Sequence, residues 1–240
     1  MLKKITVGLV LIFWPLSLFL ANTFPNFLNY LFPIFQPKFA ILPLLFLILN
    51  FEKRYIKLII LSLILLIILW RPFFGQTIFK FDYEKGQQVL QRSQLYPNVY
   101  LARIFQNKAR IPLDKFTNNF FALTDPNNYF FGFAPRQITV DNQNLIKFPF
   151  LSLVFILIAL FNLTSLKHRK IVLTFLIAAI INLSILSSFD RNDFILYFPL
   201  SILIIHGINV FNKKYPKSRK IFYLMFIVFS SFELIRIFVK

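Results

Sequence analysis

Long apolar runs dominate this sequence and constrain its fold more than any other feature. The clearest covers 55–70, where Leu and Ile occupy most positions. A helix needs about 20 apolar residues to cross a bilayer, where no water can bond a free backbone group. Hydrophobic residues make up 58% of the chain and the mean hydropathy is +0.67, whereas soluble domains contain about 45–50% apolar residues. The sequence therefore predicts an all-α, multi-pass transmembrane bundle.

About seven spans are predicted. Lys3 and Lys4 precede an apolar run that ends at Ala21, and Phe19 is too large for position −3 of a cleavage site, which favours an uncleaved signal anchor. The second span is the weakest, because Pro37 and Lys38 interrupt it. The six later spans are expected at about 34–51, 55–70, 148–166, 171–189, 194–211 and 221–238.

Residues 71–147 are polar and contain no run long enough to cross a membrane. Amphipathic helical pieces are predicted at 82–94, 99–109 and 113–123, the last with Phe116, Phe120 and Phe121 on one side. Asp125 then opens an Asp-Pro-Asn-Asn turn. The chain is therefore divided into a three-span region (1–70), a helical extracytoplasmic loop or cap (71–147) and a four-span region (148–240).

The distribution of Lys and Arg predicts the orientation. Cytoplasmic loops carry the excess of these residues, and short loops count most. With the N-terminus in the cytoplasm, the inside segments hold 13 Lys and Arg and the short outside segments hold 4. We therefore expect a plasma-membrane protein with a cytoplasmic N-terminus, and with residues 71–147 and the C-terminus on the extracytoplasmic side.

The net charge of +18 is explained by the Lys and Arg residues of the short loops at the ends of the spans. Nucleic acid is therefore not an expected partner. The absence of Cys excludes disulfides, thiolate metal sites and catalysis by Cys. His168 and His206 form no metal-ligand motif, and neither a metal nor a cofactor is expected. His206 lies inside a predicted span, where a neutral imidazole can form a hydrogen bond between helices. The expected partner is the lipid bilayer, with another membrane protein as a further candidate.

Several polar residues are candidates for chemistry, although each set also fits an ordinary solvated surface. Carboxylates could act as a general base, and cations could hold a phosphate or a lipid headgroup through charge-assisted hydrogen bonds. The candidate acids are Asp82, Glu84, Asp125, Asp190 and Asp193. The candidate cations are Arg103, Lys108, Arg110, Arg136 and Arg191.

Part of the chain, about 115–211, resembles a known family. Residues 120–131 read Phe-Phe-Ala-Leu-Thr-Asp-Pro-Asn-Asn-Tyr-Phe-Phe, Pro135-Arg136 follows, and Lys147-Phe148-Pro149-Phe150 opens a span. This arrangement resembles the segment before the later spans of bacterial multi-pass glycosyltransferases of the C superfamily. The resemblance implies a sugar donor linked to polyprenyl phosphate, and so adds lipid-linked sugars as candidate partners.

The chain departs from that family at the catalytic base, which the family carries in its first extracytoplasmic loop. The corresponding residues, 22–38, contain no Asp or Glu. The first hypothesis is therefore a non-catalytic or accessory membrane protein of the cell envelope, linked to lipid-linked glycan assembly. The alternative is a reduced glycosyltransferase-like enzyme that uses one of the later acids. A small-molecule transporter ranks third, since no internal repeat is found.

Overall fold

The computed structural model describes residues 1–13, 37–80, 83–95, 97–98, 100, 108–130, 147–187 and 190–238. Within these ranges the chain is helical and contains no β strand, which confirms the all-α prediction. The α-helices in chain order are α1 (Leu2–Phe13), α2 (Ile41–Asn50), α3 (Arg54–Leu69), α4 (Arg71–Phe74), α5 (Tyr83–Gln94), α6 (Arg110–Thr124), α7 (Asn127–Phe130), α8 (Ser152–Phe161), α9 (Arg169–Ile185), α10 (Phe194–Lys214) and α11 (Arg219–Phe238). Short 3-10 turns occupy Pro37–Phe39, Leu163–Ser165 and Asp190–Asp193.

The helices differ in length from the predicted spans. Among the described residues, α10 is the one helix that is long and apolar enough by itself to cross a membrane. Helices α2 and α8 have 10 residues each, about 15 Å at 1.5 Å per residue, or half of a bilayer core. Helix α8 begins after Pro149 and ends at Phe161. The side-chain amide of the next residue, Asn162, donates to the carbonyl of Ile158 (2.8 Å). The predicted fourth span, 148–166, is therefore a shorter helix flanked by turns.

The chain divides into two compact units. The first comprises the described residues of 1–31, 125–176 and 191–240. Its core forms where α8 crosses α10 at Gly207, so closely that a Cβ there would overlap the backbone carbonyl of Phe155. The ring of Phe155 packs against those of Phe211 (5.8 Å), Phe222 (5.3 Å) and Phe226 (5.7 Å). Small residues at such crossings let helix backbones approach closely.

Contacts along these helices give their directions. Near the start of α10, Tyr197 packs on Phe148, just before α8 (5.1 Å). Nearer the end of α10, the His206 Nε2 lies 3.3 Å from the carbonyl oxygen of Asn162, just after α8. Helices α8 and α10 therefore run parallel. Tyr223, in the first turns of α11, donates to the carbonyl of Ile208 (3.4 Å), so α11 returns antiparallel to α10. These are the directions that the predicted fourth, sixth and seventh spans require.

The second unit comprises the described residues of 32–124 and 177–190. Here buried amides bond backbone groups near the end of α9. The Asn119 Nδ2 of α6 donates to the carbonyls of Ser184 (3.2 Å) and Leu186 (2.8 Å). The Asn182 Nδ2 donates to the carbonyl of Lys38 (3.0 Å). The last carbonyls of a helix have no partner within it, so the two bonds of Asn119 satisfy groups at the end of α9 that burial would leave costly.

Two of the three helical pieces predicted between 71 and 147 are helices in the structure. Helices α5 and α6 occupy the pieces expected at 82–94 and 113–123. Most of the piece expected at 99–109 lies outside the described residues. On α6, the ring of Phe120 contacts those of Phe116 and Phe121, but Phe121 is 65% exposed. The buried face of α6 instead carries Asn119 and Leu123.

Candidate functional site

A tight turn at Asp125 begins the best-defined polar site in the described part of the first unit. The Asp125 Oδ1 accepts a hydrogen bond from the backbone N–H of Asn127 (2.9 Å). The backbone N–H of Asn128 donates to the carbonyl of Asp125 (3.1 Å). An aspartate that bonds the backbone two residues onward forms an Asx-turn. The predicted turn is therefore confirmed, and it holds the carboxylate of Asp125 in a defined position at the surface.

Lys147 closes this turn from the other side. Its Nζ donates to the carbonyl of Asn127 (2.8 Å). The next residue, Phe148, donates its backbone N–H to the carbonyl of Tyr129 (2.8 Å). Burial lowers the pKa of Lys147 below its ordinary value, and the carboxylate of Asp125 offsets part of that shift. A half-buried ammonium therefore lies near a carboxylate where the chain enters α8.

Four aromatic side chains pack together next to the Asp125 turn and the start of α8. Tyr197 of α10 packs edge-on against Tyr129 (5.4 Å) and also contacts Phe148 (5.1 Å). Phe148 in turn stacks on Phe130 (5.9 Å). All four rings are buried, with exposures of 1–6%. Aromatic pairs of this geometry stabilise by about 0.5–1.5 kcal/mol each beyond the area they bury, so the turn rests on a rigid base.

Asp193 is the last residue of the 3-10 turn that precedes α10. Its side chain is buried, with an exposure of 3%. A buried carboxylate is costly when charged unless charges or hydrogen bonds compensate it. The first unit therefore contains two of the predicted acids, Asp125 at the surface and Asp193 in the interior.

Three other predicted site residues with described side chains are Glu84, Lys108 and Arg110. Glu84 is exposed in the first turn of α5, and Lys108 is exposed before α6. Arg110 forms an ion pair with Asp114 (2.8 Å). All of these belong to the second unit. The backbones of Asp190 and Arg191 form a 3-10 turn, but their side chains, like Asp82, Arg103 and Arg136, lie outside the described residues.

The arrangement around Lys147 could hold an anionic group at the ammonium or exchange a proton at a carboxylate. Sequence reasoning missed Lys147, because it was assigned to the end of a loop. The available signal was its place as the last cation before an apolar, aromatic-rich run. Among the described residues, no group of three or more His, Asp or Glu could hold a metal ion.

No protein-family model, curated protein or solved structure matches this chain.

Proposed function

We propose that this chain is an integral membrane protein of the cell envelope with about seven spans. We further propose that it holds or scaffolds lipid-linked glycans on the extracytoplasmic side without completing a glycosyl transfer. The proposed orientation has a cytoplasmic N-terminus, with residues 71–147 and the C-terminus outside. It is supported by the charges of the short loops and by the directions of α8, α10 and α11.

The surface of α3 carries the proposal. Of its 16 residues, only Ile60 and Ile64 are buried. Seven of its aliphatic side chains are 43–71% exposed, namely Leu58, Ile59, Leu61, Leu63, Leu65, Leu66 and Leu69. Water would penalise this surface at roughly 25 cal/mol per Å² of apolar area, and soluble monomers rarely expose such contiguous patches. Hydrocarbon imposes no such penalty.

Helix α11 has a similar exposed face. Six of its apolar side chains are 48–68% exposed, namely Ile221, Leu224, Met225, Val228, Phe232 and Ile235. Its buried face carries Tyr223, Phe226 and Ser230. A helix that buries one face against protein and exposes apolar groups on the other is typical of the rim of a membrane bundle. Both faces therefore support contact with lipid.

The glycan part of the proposal is supported by Lys147 and by the family that residues 115–211 resemble. A lysine ammonium binds phosphate as a point charge. Lys147 lies at the predicted outer surface, the side on which donors of the polyprenyl-phosphate type present their sugars in that family. The non-catalytic form is preferred, because residues 22–38 contain no acid to act as the family's base.

A second candidate function is a reduced glycosyltransferase-like enzyme. It is favoured by Asp125 near Lys147 and by the buried Asp193. A general base needs a titratable group within hydrogen-bond reach of the acceptor. In this case Asp125 or Asp193 would replace the missing first-loop acid.

Membrane placement is tested first, on the full chain expressed in its host cell. We expect the protein to stay with the membrane after washing with alkaline carbonate and to require detergent for release. Reporter fusions within 71–147 should be active outside the cell, and fusions within 167–170 should be active inside. Release by carbonate, or both fusions on one side, would contradict the proposal.

The two functions are separated by complementing a deletion strain and measuring lipid-linked glycans by mass spectrometry. For the non-catalytic protein, Asp125→Asn and Asp193→Asn should complement fully, whereas Lys147→Gln should not. For the enzyme, at least one Asn variant should lose glycan transfer at unchanged protein abundance. Lys115→Gln, which removes an exposed cation from α6, is the matched control. Full complementation by all of these variants would overturn both glycan functions.

A further inference from the structure

Cations converge at one end of the first unit. The side chain of His206 on α10 lies 3.2 Å from the Ser165 Oγ, which brings the segment that begins with Lys167 against α10. Phe211 near the end of α10 packs on Phe222 near the start of α11 (4.9 Å). We call the cations of these two connections the basic rim, which comprises Lys167, Arg169, Lys170, Lys213, Lys214, Lys217, Arg219 and Lys220.

No acid of the described first unit lies at this end. The acids there are Asp125, Asp193 and Glu233. Asp193 precedes the opposite end of α10, and Asp125 belongs to the turn beside that end. Glu233 lies 14 residues after Arg219 along α11, about 21 Å at 1.5 Å per residue. All rim residues except the half-buried Arg219 are exposed. The rim is therefore a concentrated positive surface without internal neutralisation.

Exposed apolar side chains adjoin the rim on its helices. Phe161 at the end of α8 is 87% exposed, and Ile221 in the first turn of α11 is 66% exposed. Tyr215, which is 43% exposed, lies beneath the Lys214 ammonium at 5.9 Å. Aromatic rings and long cations occur together at headgroup depth, where one part meets hydrocarbon and the other meets charge. This pattern is expected of a surface that lies among lipid headgroups.

Helix ends add to the positive potential. Helices α9 and α11 both begin in the rim, and a helix N-terminus carries a partial positive charge. The connection before α9 turns sharply at His168, whose φ of 63° lies in the left-handed region. The carbonyl of His168 accepts hydrogen bonds from Ile171 (3.0 Å) and Val172 (3.2 Å), which fixes the first turn of α9. The connection before α9 therefore has a defined backbone geometry.

From these observations we infer that the basic rim binds the headgroups of anionic phospholipids in the cytoplasmic leaflet in preference to zwitterionic ones. This inference rests on the proposed membrane placement and goes beyond it. Orientation by positive loops requires only that the cations stay inside, whereas a binding rim makes the folded protein more stable when anionic lipid is present. Clustered basic residues at the cytoplasmic ends of membrane helices favour such headgroups.

The test uses the full chain purified in a neutral detergent, with thermal unfolding followed by near-UV circular dichroism. Adding phosphatidylglycerol to the micelles should raise the Tm by about 5 °C over the same amount of phosphatidylcholine. This gain should shrink at high salt, because screening weakens attraction between exposed charges. Native mass spectrometry should show more bound phosphatidylglycerol than phosphatidylcholine.

Three variants make the test specific. Replacing Lys213, Lys214 and Lys217 by Gln should remove at least half of the gain in Tm, and replacing the same three by Arg should retain it. The control replaces Lys80 and Lys115 by Gln and should also retain it, because these exposed lysines belong to 71–147, which lies outside in the proposed orientation. Unchanged near-UV spectra without lipid will show that each variant folds.

Equal effects of the two lipids, or a full gain in the Gln variant of the rim, would overturn the inference. A short RNA that raises the Tm of the wild type and abolishes the lipid gain would also overturn it, since nucleic acid would then be the ligand. A failure of the membrane proposal has a different outcome, because the protein would then leave the membrane in carbonate. A protein that resists carbonate but does not distinguish the lipids refutes the rim alone.

Discussion

Replacing Gly207 with alanine tests the packing of α8 on α10. A Cβ at this position would overlap the carbonyl oxygen of Phe155, and it would lie 2.6 Å from the carbonyl carbon and 3.0 Å from the Cα. Carbon atoms pack best at about 3.5–4.0 Å. All three clashing atoms belong to the backbone, so no side chain can rotate to relieve the overlap, and the two helices have to separate.

Two effects of opposite sign determine the magnitude. Alanine is a better helix former than glycine by roughly 1 kcal/mol, which would stabilise the variant. Forcing an extra carbon into a packed core costs about 1–3 kcal/mol, and separating the helices also weakens the contacts of the Phe155 ring. We expect the cost of the overlap to exceed the gain in helix propensity. The free energy of unfolding should fall by about 1–2 kcal/mol, which corresponds to roughly 2–8 °C in Tm for a chain of this size.

Gly8 provides the matched control. It lies inside α1, and a Cβ added there would meet nothing within 4 Å. Gly8→Ala should therefore show the helix-propensity effect alone and stabilise the protein by up to about 1 kcal/mol. Thermal unfolding of both variants in one detergent gives the comparison. If Gly207→Ala is as stable as Gly8→Ala, the close crossing of α8 and α10 does not exist and the reasoning is wrong.

Three further predictions concern hydrogen bonds and backbone conformation. Lys147→Met should remove the bond to the Asn127 carbonyl, a loss of about 1 kcal/mol in the free energy of unfolding. Burial lowers the pKa of Lys147 in the folded state, so between that lowered pKa and 10.5 the unfolded state binds more protons at this residue than the folded state does. The free energy of unfolding of the wild type, relative to that of the variant, should therefore rise with pH in this range. A stability difference that does not change with pH would refute the assignment. Asn119→Ala should cost about 2–3 kcal/mol in chemical unfolding, because it leaves two buried carbonyls without donors, whereas its exposed neighbour Asn118→Ala should cost almost nothing. At His168, whose φ is 63°, glycine should preserve or raise the Tm, whereas valine should lower it by the equivalent of about 1–2 kcal/mol; the reverse order would contradict the left-handed conformation.

Local chemistry made several elements predictable. The Asp125 turn forms because an aspartate side chain can bond the backbone two residues onward, and this interaction needs no other part of the chain. Helices α5 and α6 follow from amphipathic spacing in the same way. The length of α8 was harder to predict, since hydropathy does not register the hydrogen bond by which Asn162 ends the helix.

Hydrophobic spacing and turn residues did not predict contacts between residues far apart in the sequence. Hydrophobic spacing placed Phe116, Phe120 and Phe121 on one side of α6, but the buried face is the one that carries Asn119 and Leu123. The reason is that the end of α9, 65 residues further on, presents carbonyls that an amide can satisfy. Sequence spacing records which residues share a face, but it does not record what the partner surface offers.

The sequence by itself determined the all-helical class, the concentration of apolar residues in long runs and the segregation of charge, because these depend on sums over many residues that tertiary contacts hardly alter. Only the tertiary structure decided that Lys147 bonds the Asn127 carbonyl near the carboxylate of Asp125, and that Gly207 meets the backbone of Phe155. These features depend on distances of a few ångströms between residues far apart in the chain. Such distances follow from how whole helices pack, which no local pattern contains.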